Sequence, residues 1–330
     1  MARFEDCLKR LDRVQRRHKS LSMPVAVAKK FGEDGAAKLA SLVAYYGFFS
    51  LFPLLLVMVT VLGYVLVGHP NLQSDLLDSA LTQFPVIGDQ IEVSSLRGDA
   101  AALIIGIAGA LWAGLGALQA MEHAMNDVWD VPIKDRPNFL ISRLRAALML
   151  LVLVIGIGGV VALSAVGSYS RRIGAVGNVV SFVLAFGLAT GVFLLAFQVL
   201  PNRRFPWRAL LPGALAAGAG FVVLQVVGGL YVSRVVKGAS ESYGVFAVVI
   251  GLLSWMHLLA QVVLFSAEIN VVRDQNLWPR SLTGDDLTDA DERALCRYAK
   301  VEERREDEDI SMRLEDRIRA GRHRRSEQLL

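Results

Sequence analysis

Three polar residues share one face of an otherwise apolar stretch near the end of the chain, SWMHLLAQVVLFSAEIN (254–270). They are His257, Gln261 and Glu268, and at about 100° per residue they fall within roughly 40° of one another on a helix. An imidazole, an amide and a carboxylate in one stripe can line a water-filled cavity for a substrate, relay protons, or hydrogen-bond neighbouring helices. The spacing alone does not choose among these three interpretations.

A second polar stripe lies near residue 120. Gln119, Glu122, His123 and Asn126 recur at i, i+3, i+4 and i+7, on one face of a helix that continues beyond residue 121. A solvated helix end would show the same pattern, so that interpretation stands beside a substrate path. Tyr45 is a further candidate, although tyrosines near a membrane boundary are often interfacial anchors. The predicted substrate path therefore comprises Tyr45, Gln119, Glu122, His123, His257, Gln261 and Glu268.

The chain lacks the motifs of common catalytic sites. It contains no GxSxG, no GxxxxGK[ST] and no HExxH. Its five histidines are far apart, and its two cysteines, Cys7 and Cys296, form no CxxC pair for zinc. We therefore predict no catalytic residue, no metal and no cofactor, and we do not expect an enzyme.

Long uncharged segments must position these candidates. The chain of 330 residues is 54% hydrophobic and only 20% charged. Its apolar stretches are about 20 residues or longer, which is enough to cross a hydrocarbon core of roughly 30 Å as helices. We predict an all-α integral membrane protein with six transmembrane helices, at about 39–67, 101–121, 146–170, 176–200, 209–236 and 244–272.

The basic residues predict the topology. Segments on one side of the predicted helices hold 30 Lys and Arg residues, and those on the other side hold 5. The positive-inside rule then places both termini in the cytoplasm. Residues 1–38 form a basic amphipathic N-terminal region, 39–272 the six-helix domain, and 273–330 a charged, partly disordered tail. All candidate polar groups then fall in the inner half of the membrane domain, which favours a cavity open to the cytoplasm.

Four stretches together resemble the YihY/BrkB family of bacterial inner-membrane proteins, and within it the YhjD-like branch. They are ASLVAYYGFFSLFPLLLVMVTVLG, LWAGLGALQAMEHAMNDVWDV, LPNRRFPWRALLPGALAAG and YGVFAVVIGLLSWMHLLAQVVLFSAEIN. The resemblance covers about residues 30–275 and includes Tyr45, Tyr46, Ser50, Pro53, Tyr243, Gly244, Gln261, Glu268 and Asn270. His257 departs from it, because relatives often have an aromatic residue there.

The resemblance implies a polytopic protein of the bacterial plasma (inner) membrane. Members often carry the label "ribonuclease BN-like", widely regarded as a misassignment, and this branch has been linked to export of envelope lipid. We therefore predict a transporter or flippase-like protein for an amphipathic envelope component, with membrane lipid and a lipid-like substrate as partners. A non-transporting scaffold whose tail recruits a cytoplasmic partner is the alternative, and a membrane-bound ribonuclease ranks last. No nucleic-acid partner is expected, since the basic residues are accounted for by topology.

Overall fold

The computed structural model describes residues 2–65, 100–170, 175–231, 245–283 and 287–312. Within these ranges the secondary structure is helical, with no β-strand. Two short helices precede six long ones, and one helix follows them. The elements are α1 (Ala2–Arg17), α2 (Lys19–Glu33), α3 (Ala36–Val65), α4 (Ala100–Val128), α5 (Phe139–Ser170), α6 (Ala175–Val199), α7 (Trp207–Tyr231), α8 (Val245–Asp274) and α9 (Asp289–Val301).

The long helices α3 to α8 lie over the six ranges predicted from hydropathy. Within the described ranges, three of these helices contain a segment long and apolar enough to cross a membrane. The segments are 182–199 in α6, 207–225 in α7 and 249–274 in α8. A shorter apolar stretch covers 36–51 of α3. The prediction of an all-α membrane protein is confirmed, and the crossing of the bilayer by all six helices, with both termini inside, stays a prediction.

Small residues let the long helices approach closely. A Cβ atom at Gly213 of α7 would overlap the backbone oxygen of Ser266 and the amide of Asn270 on α8. The Gly213 backbone N–H donates to Asn270 Oδ1 at 2.7 Å, so the missing side chain permits a direct hydrogen bond between the helices. Close packing of this kind, rather than hydrophobic burial, drives helix association in lipid.

The chain termini pack together at one end of the long helices. Ala26 and Val27 of α2 belong to one buried apolar cluster with Val272 of α8, Ala294 of α9 and Leu277, which lies between these two helices. Helix α9 begins after Thr288, whose side chain accepts from the backbone N–H of Asp291 in a capping box. We call α1, α2 and the described residues after α8 the terminal cap. Much of the predicted charged tail is thus folded, while residues 313–330 lie outside the described ranges.

Candidate functional site

An open groove of about 720 Å³ runs between α3 and α4 and reaches the start of α5. Three of the predicted path residues line it: Tyr45, Gln119 and His123. Its remaining walls are mostly aromatic and aliphatic, with one cation at its edge. We call it the aromatic groove, lined by Leu42, Tyr45, Tyr46, Phe49, Trp112, Ala113, Gly116, Gln119, Ala120, His123 and Arg143.

Arg143 supplies the positive charge of the aromatic groove. It lies on the second turn of α5, which is stabilised at its start by a hydrogen bond from the Ile141 N–H to Asn138 Oδ1. Its guanidinium carbon lies 4.7 Å from the ring centre of Phe139 and 5.8 Å from that of Trp112. Its Nε is buried and has no hydrogen-bond partner in the described part of the chain. The guanidinium is therefore held by aromatic faces and places a positive charge in the lining of the aromatic groove.

His123 also presents a polar edge to the groove. Its Nδ1 lies 2.7 Å from the Gln119 carbonyl oxygen, which can only accept, so Nδ1 carries the proton. On the opposite wall, the Tyr45 ring packs against Tyr46 and Phe49, with centroids 5.6 and 4.9 Å away. The groove thus combines an aromatic wall with a few polar groups, a composition typical of sites for amphipathic ligands.

Glu122 does not join Gln119 and His123. Its side chain is buried and accepts a short hydrogen bond from Ser142, with Arg145 Nη1 4.0 Å away. Asn126 is also buried, and its Oδ1 accepts from the Asn202 backbone N–H at 2.7 Å. The second stripe therefore divides into a groove-facing pair and a buried pair, and a solvated helix end is wrong for the buried pair.

His257 and Gln261 form a polar chain with Ser41 of α3. Gln261 Nε2 lies 2.9 Å from His257 Nε2, and Ser41 Oγ lies 3.3 Å from His257 Nδ1. The Ser41 hydroxyl donates to the Ala37 carbonyl at 3.0 Å, so it is free to accept from His257 Nδ1, while His257 Nε2 accepts from Gln261. A neutral imidazole satisfies both contacts. These residues lie outside the aromatic groove and join α8 to α3.

Glu268 belongs neither to the aromatic groove nor to the polar chain of His257. It lies in a fully buried charge cluster with Lys30, Asp34 and Asp130. Lys30 Nζ lies 2.6 Å from Asp34 Oδ2, 3.2 Å from Asp130 Oδ1 and 3.7 Å from Glu268 Oε2. Burial acts to lower the pKa of Lys30, but the carboxylates of Glu268, Asp130 and Asp34 raise it above its ordinary value. Burial raises the pKa of both Asp34 and Asp130, and the Lys30 ammonium only partly opposes this. The cluster joins α2, α8 and the turn after α4.

A second cavity, of about 340 Å³, lies among the long helices. Its lining is almost entirely apolar, with Ser50 as a polar exception, and it includes Met121, Met149, Phe193, Phe221 and Met256. None of the seven predicted path residues lines it. The stripe on α8 therefore does not face the interior space that the described helices enclose.

Comparison with known proteins identifies the family. The family model "Virulence factor BrkB" matches residues 27–286, most of the chain. The chain belongs to the BrkB family. The ribonuclease-like protein YfkH of Bacillus subtilis is 26% identical over 72% of this chain and 90% of its own length. The inner membrane protein YhjD of Escherichia coli is 25% identical over 74% of this chain and 78% of its own.

A third relative is a UPF0761 membrane protein of Alkalilimnicola ehrlichii, 28% identical over 76% of this chain and 57% of its own length. No solved structure matches the chain significantly. With the apolar helices described above, these relatives establish this BrkB-family member as a protein of the bacterial inner membrane. The resemblance and the location predicted from sequence are confirmed.

Sequence reasoning missed two parts of the site in this BrkB-family protein. Arg143 lies before the third predicted transmembrane span, 146–170, whereas in the structure it belongs to α5, which begins at Phe139. The charge cluster was also missed. Lys30 was interpreted only as part of the positive charge that sets the topology, and no role was predicted for Asp34 or Asp130. A Lys and an Asp four residues apart, on a helix next to an apolar segment, were the available signal for the charge cluster.

Proposed function

We propose that this protein moves an anionic, amphipathic envelope component across the inner membrane and takes it up in the aromatic groove. The observation that carries the proposal is Arg143, a cation in the groove lining beside aromatic side chains. A guanidinium binds phosphate or carboxylate through paired N–H donors, and aromatic faces accept acyl or ring surfaces. The two ends of an amphipathic molecule would thus meet matching surfaces.

The shape of the groove supports a lipid-like substrate. It is open along one side and about 720 Å³ in volume, whereas the deeper cavity is smaller and nearly all apolar. A molecule with a small charged head and long apolar chains can place its head at Arg143 while its chains stay in the bilayer. The relative named inner membrane protein YhjD, and the envelope-lipid export implied by the resemblance to its branch, agree with this proposal.

Lipid transfer in reconstituted vesicles tests the proposal. Purified protein in liposomes should speed the movement of fluorescent phosphatidylglycerol between leaflets, measured by reduction of the outer-leaflet label, and act less on zwitterionic phosphatidylcholine. Arg143→Gln should slow the anionic probe about tenfold or more, since a charge-assisted contact is lost. Arg145→Gln is the matched control, because Arg145 lies near Glu122 and outside the groove lining. Folded wild-type protein that moves neither probe faster than empty liposomes would refute the proposal.

The ribonuclease alternative remains open to a direct experiment. The name of YfkH is the observation that favours it. It requires that highly purified protein cleave RNA in a metal-dependent way, because the sequence offers no metal-free catalytic motif. Cleavage that stays with the protein through successive purification steps, and is lost on addition of a chelator, would favour the enzyme over the transporter.

A further inference from the structure

The charge cluster holds more negative than positive charge. Three carboxylates, those of Asp34, Asp130 and Glu268, surround the single ammonium group of Lys30. All four side chains are at most 3% exposed, and Lys30 and Glu268 are 0% exposed. Two negative charges would stay uncompensated within the cluster if every carboxyl group were ionised. Burying even one unpaired charge is costly, so the fully ionised arrangement is unfavourable.

The hydrogen bonds of Lys30 show which carboxylate in the cluster has no donor. Lys30 has three N–H donors, and they are used by Asp34 Oδ2 at 2.6 Å, the Val128 carbonyl at 3.0 Å and Asp130 Oδ1 at 3.2 Å. Glu268, at 3.7 Å from Nζ, receives none of them. Both of its oxygens are buried, and neither has a hydrogen-bond partner in the described ranges.

A proton between Glu268 and the neighbouring Asp34 would supply the missing hydrogen bond. The carboxyl groups of Asp34 and Glu268 are neighbours, because both lie against the Lys30 ammonium, at 2.6 and 3.7 Å from Nζ. Two ionised carboxylates repel and cannot bond, whereas one added proton converts the contact into a hydrogen bond and removes one negative charge. We propose that Asp34 and Glu268 form a proton-binding site that holds a single shared proton between α2 and α8. A metal cation is not the fitting ligand, because the Lys30 ammonium already occupies the centre of the carboxylates.

The groups around this site come from every element packed on it. Lys30 belongs to α2, Asp34 follows the last residue of α2, Asp130 lies in the turn after α4, and Arg297 of α9 acts electrostatically on Asp130. The Tyr298 ring lies 5.6 Å from Lys30 Nζ, and its hydroxyl donates to Glu33 Oε2 at 2.9 Å. The proton therefore lies beneath the terminal cap. Its release would add a negative charge between α2 and α8 and weaken the packing of the cap on the membrane helices.

The direction of the pH effect follows from linkage. The pKa of Asp34 is raised in the folded protein, so the folded state binds more protons than the unfolded chain above the ordinary carboxyl range. The stability from the shared proton is fully present below that range and is lost as the pH rises through the folded value. One proton of difference lowers the midpoint of thermal unfolding by about 2–4 °C per pH unit. The inference does not depend on the proposed transport function.

Two measurements on the full-length protein in detergent test the site. Infrared spectra near neutral pH should contain the carbonyl band of a protonated carboxylic acid, and both Glu268→Gln and Asp34→Asn should remove it. Thermal unfolding between about pH 5 and pH 9 should show a falling midpoint in the wild type. Most of this slope should disappear in Glu268→Gln, whose amide imitates the protonated group.

Glu122→Gln is the matched control, because Glu122 is also a buried carboxylate near the end of a long helix but already has Ser142 as a donor. It should keep both the infrared band and the pH slope. Absence of the band from the wild type, or its persistence in both cluster variants, would overturn the proposal. If one variant fails to fold, the other still decides, because each removes one partner of the same shared proton.

Discussion

At the scale of single residues, Lys30 is the cation at the centre of the charge cluster. Its ammonium group is the cation that three buried carboxylates share, and it also donates to the Val128 carbonyl. A buried charge group of this kind gives little net stability when complete, but removing one partner leaves the others uncompensated. Lys30 therefore has two roles: it adds to the positive charge that predicts the topology, and it balances part of the buried negative charge.

Lys30→Met should therefore destabilise the protein by about 3–5 kcal/mol, because the side chain keeps its length and loses its charge. Lys38→Met is the control, since Lys38 is exposed in the first turn of α3 and its loss should change stability little. Thermal unfolding of the two purified variants, followed by circular dichroism, measures the difference. A Lys30→Met protein as stable as Lys38→Met would contradict the assignment of Lys30 as the centre of the cluster.

At the scale of elements, Asp291 holds the C-terminal segment on the N-terminal helices. It accepts from Arg280 Nε at 2.7 Å, Lys29 Nζ at 2.9 Å and the Ser281 backbone N–H at 2.9 Å. Burial acts to raise the pKa of Asp291, but these hydrogen bonds and those from Thr288 outweigh it and hold the pKa below the ordinary carboxyl range. The stability it contributes is present above the ordinary carboxyl pKa and is lost as the pH falls through the lower folded value.

Asp291→Asn should release α9 from α2 while leaving the membrane helices folded. The expected result is faster tryptic cleavage near Arg280, which is buried in the wild type and becomes accessible when the segment detaches. Asp307→Asn makes the same chemical change at an exposed ion pair with Arg305 and should leave cleavage unchanged. Equal cleavage rates in the two variants would show that Asp291 does not hold the segment in place.

At the scale of the whole molecule, hydropathy predicted the long helices because an apolar run ends where charge begins. Two helices extend beyond the predicted membrane spans: α4 continues to Val128, as the polar stripe after residue 121 predicted, and α5 begins at Phe139, before the span of 146–170. Spacing on one helix placed Gln119 and His123 in a single stripe with Glu122 and Asn126, and only the structure separates the groove-facing pair from the buried pair. The charge cluster was not predicted, because residues 30, 130 and 268 meet only through the packing of distant segments.

The predicted orientation of the whole chain can be tested with a residue it already contains. Cys296 is a free, exposed cysteine on α9, in the segment that the basic residues assign to the cytoplasm. In a Cys7→Ser background, a membrane-impermeant thiol reagent should label Cys296 in inverted membrane vesicles and leave it unlabelled in intact spheroplasts.

A cysteine introduced as Ser74→Cys, in the segment between the first two predicted helices, should show the opposite pattern in a Cys7→Ser, Cys296→Ser background. The two positions are controls for each other, because any leak in the membranes would label both from both sides. Labelling of Cys296 from outside, with Ser74→Cys labelled from inside, would invert the topology. The charge cluster and the terminal cap would then face the periplasm, where the proton site would respond to external pH.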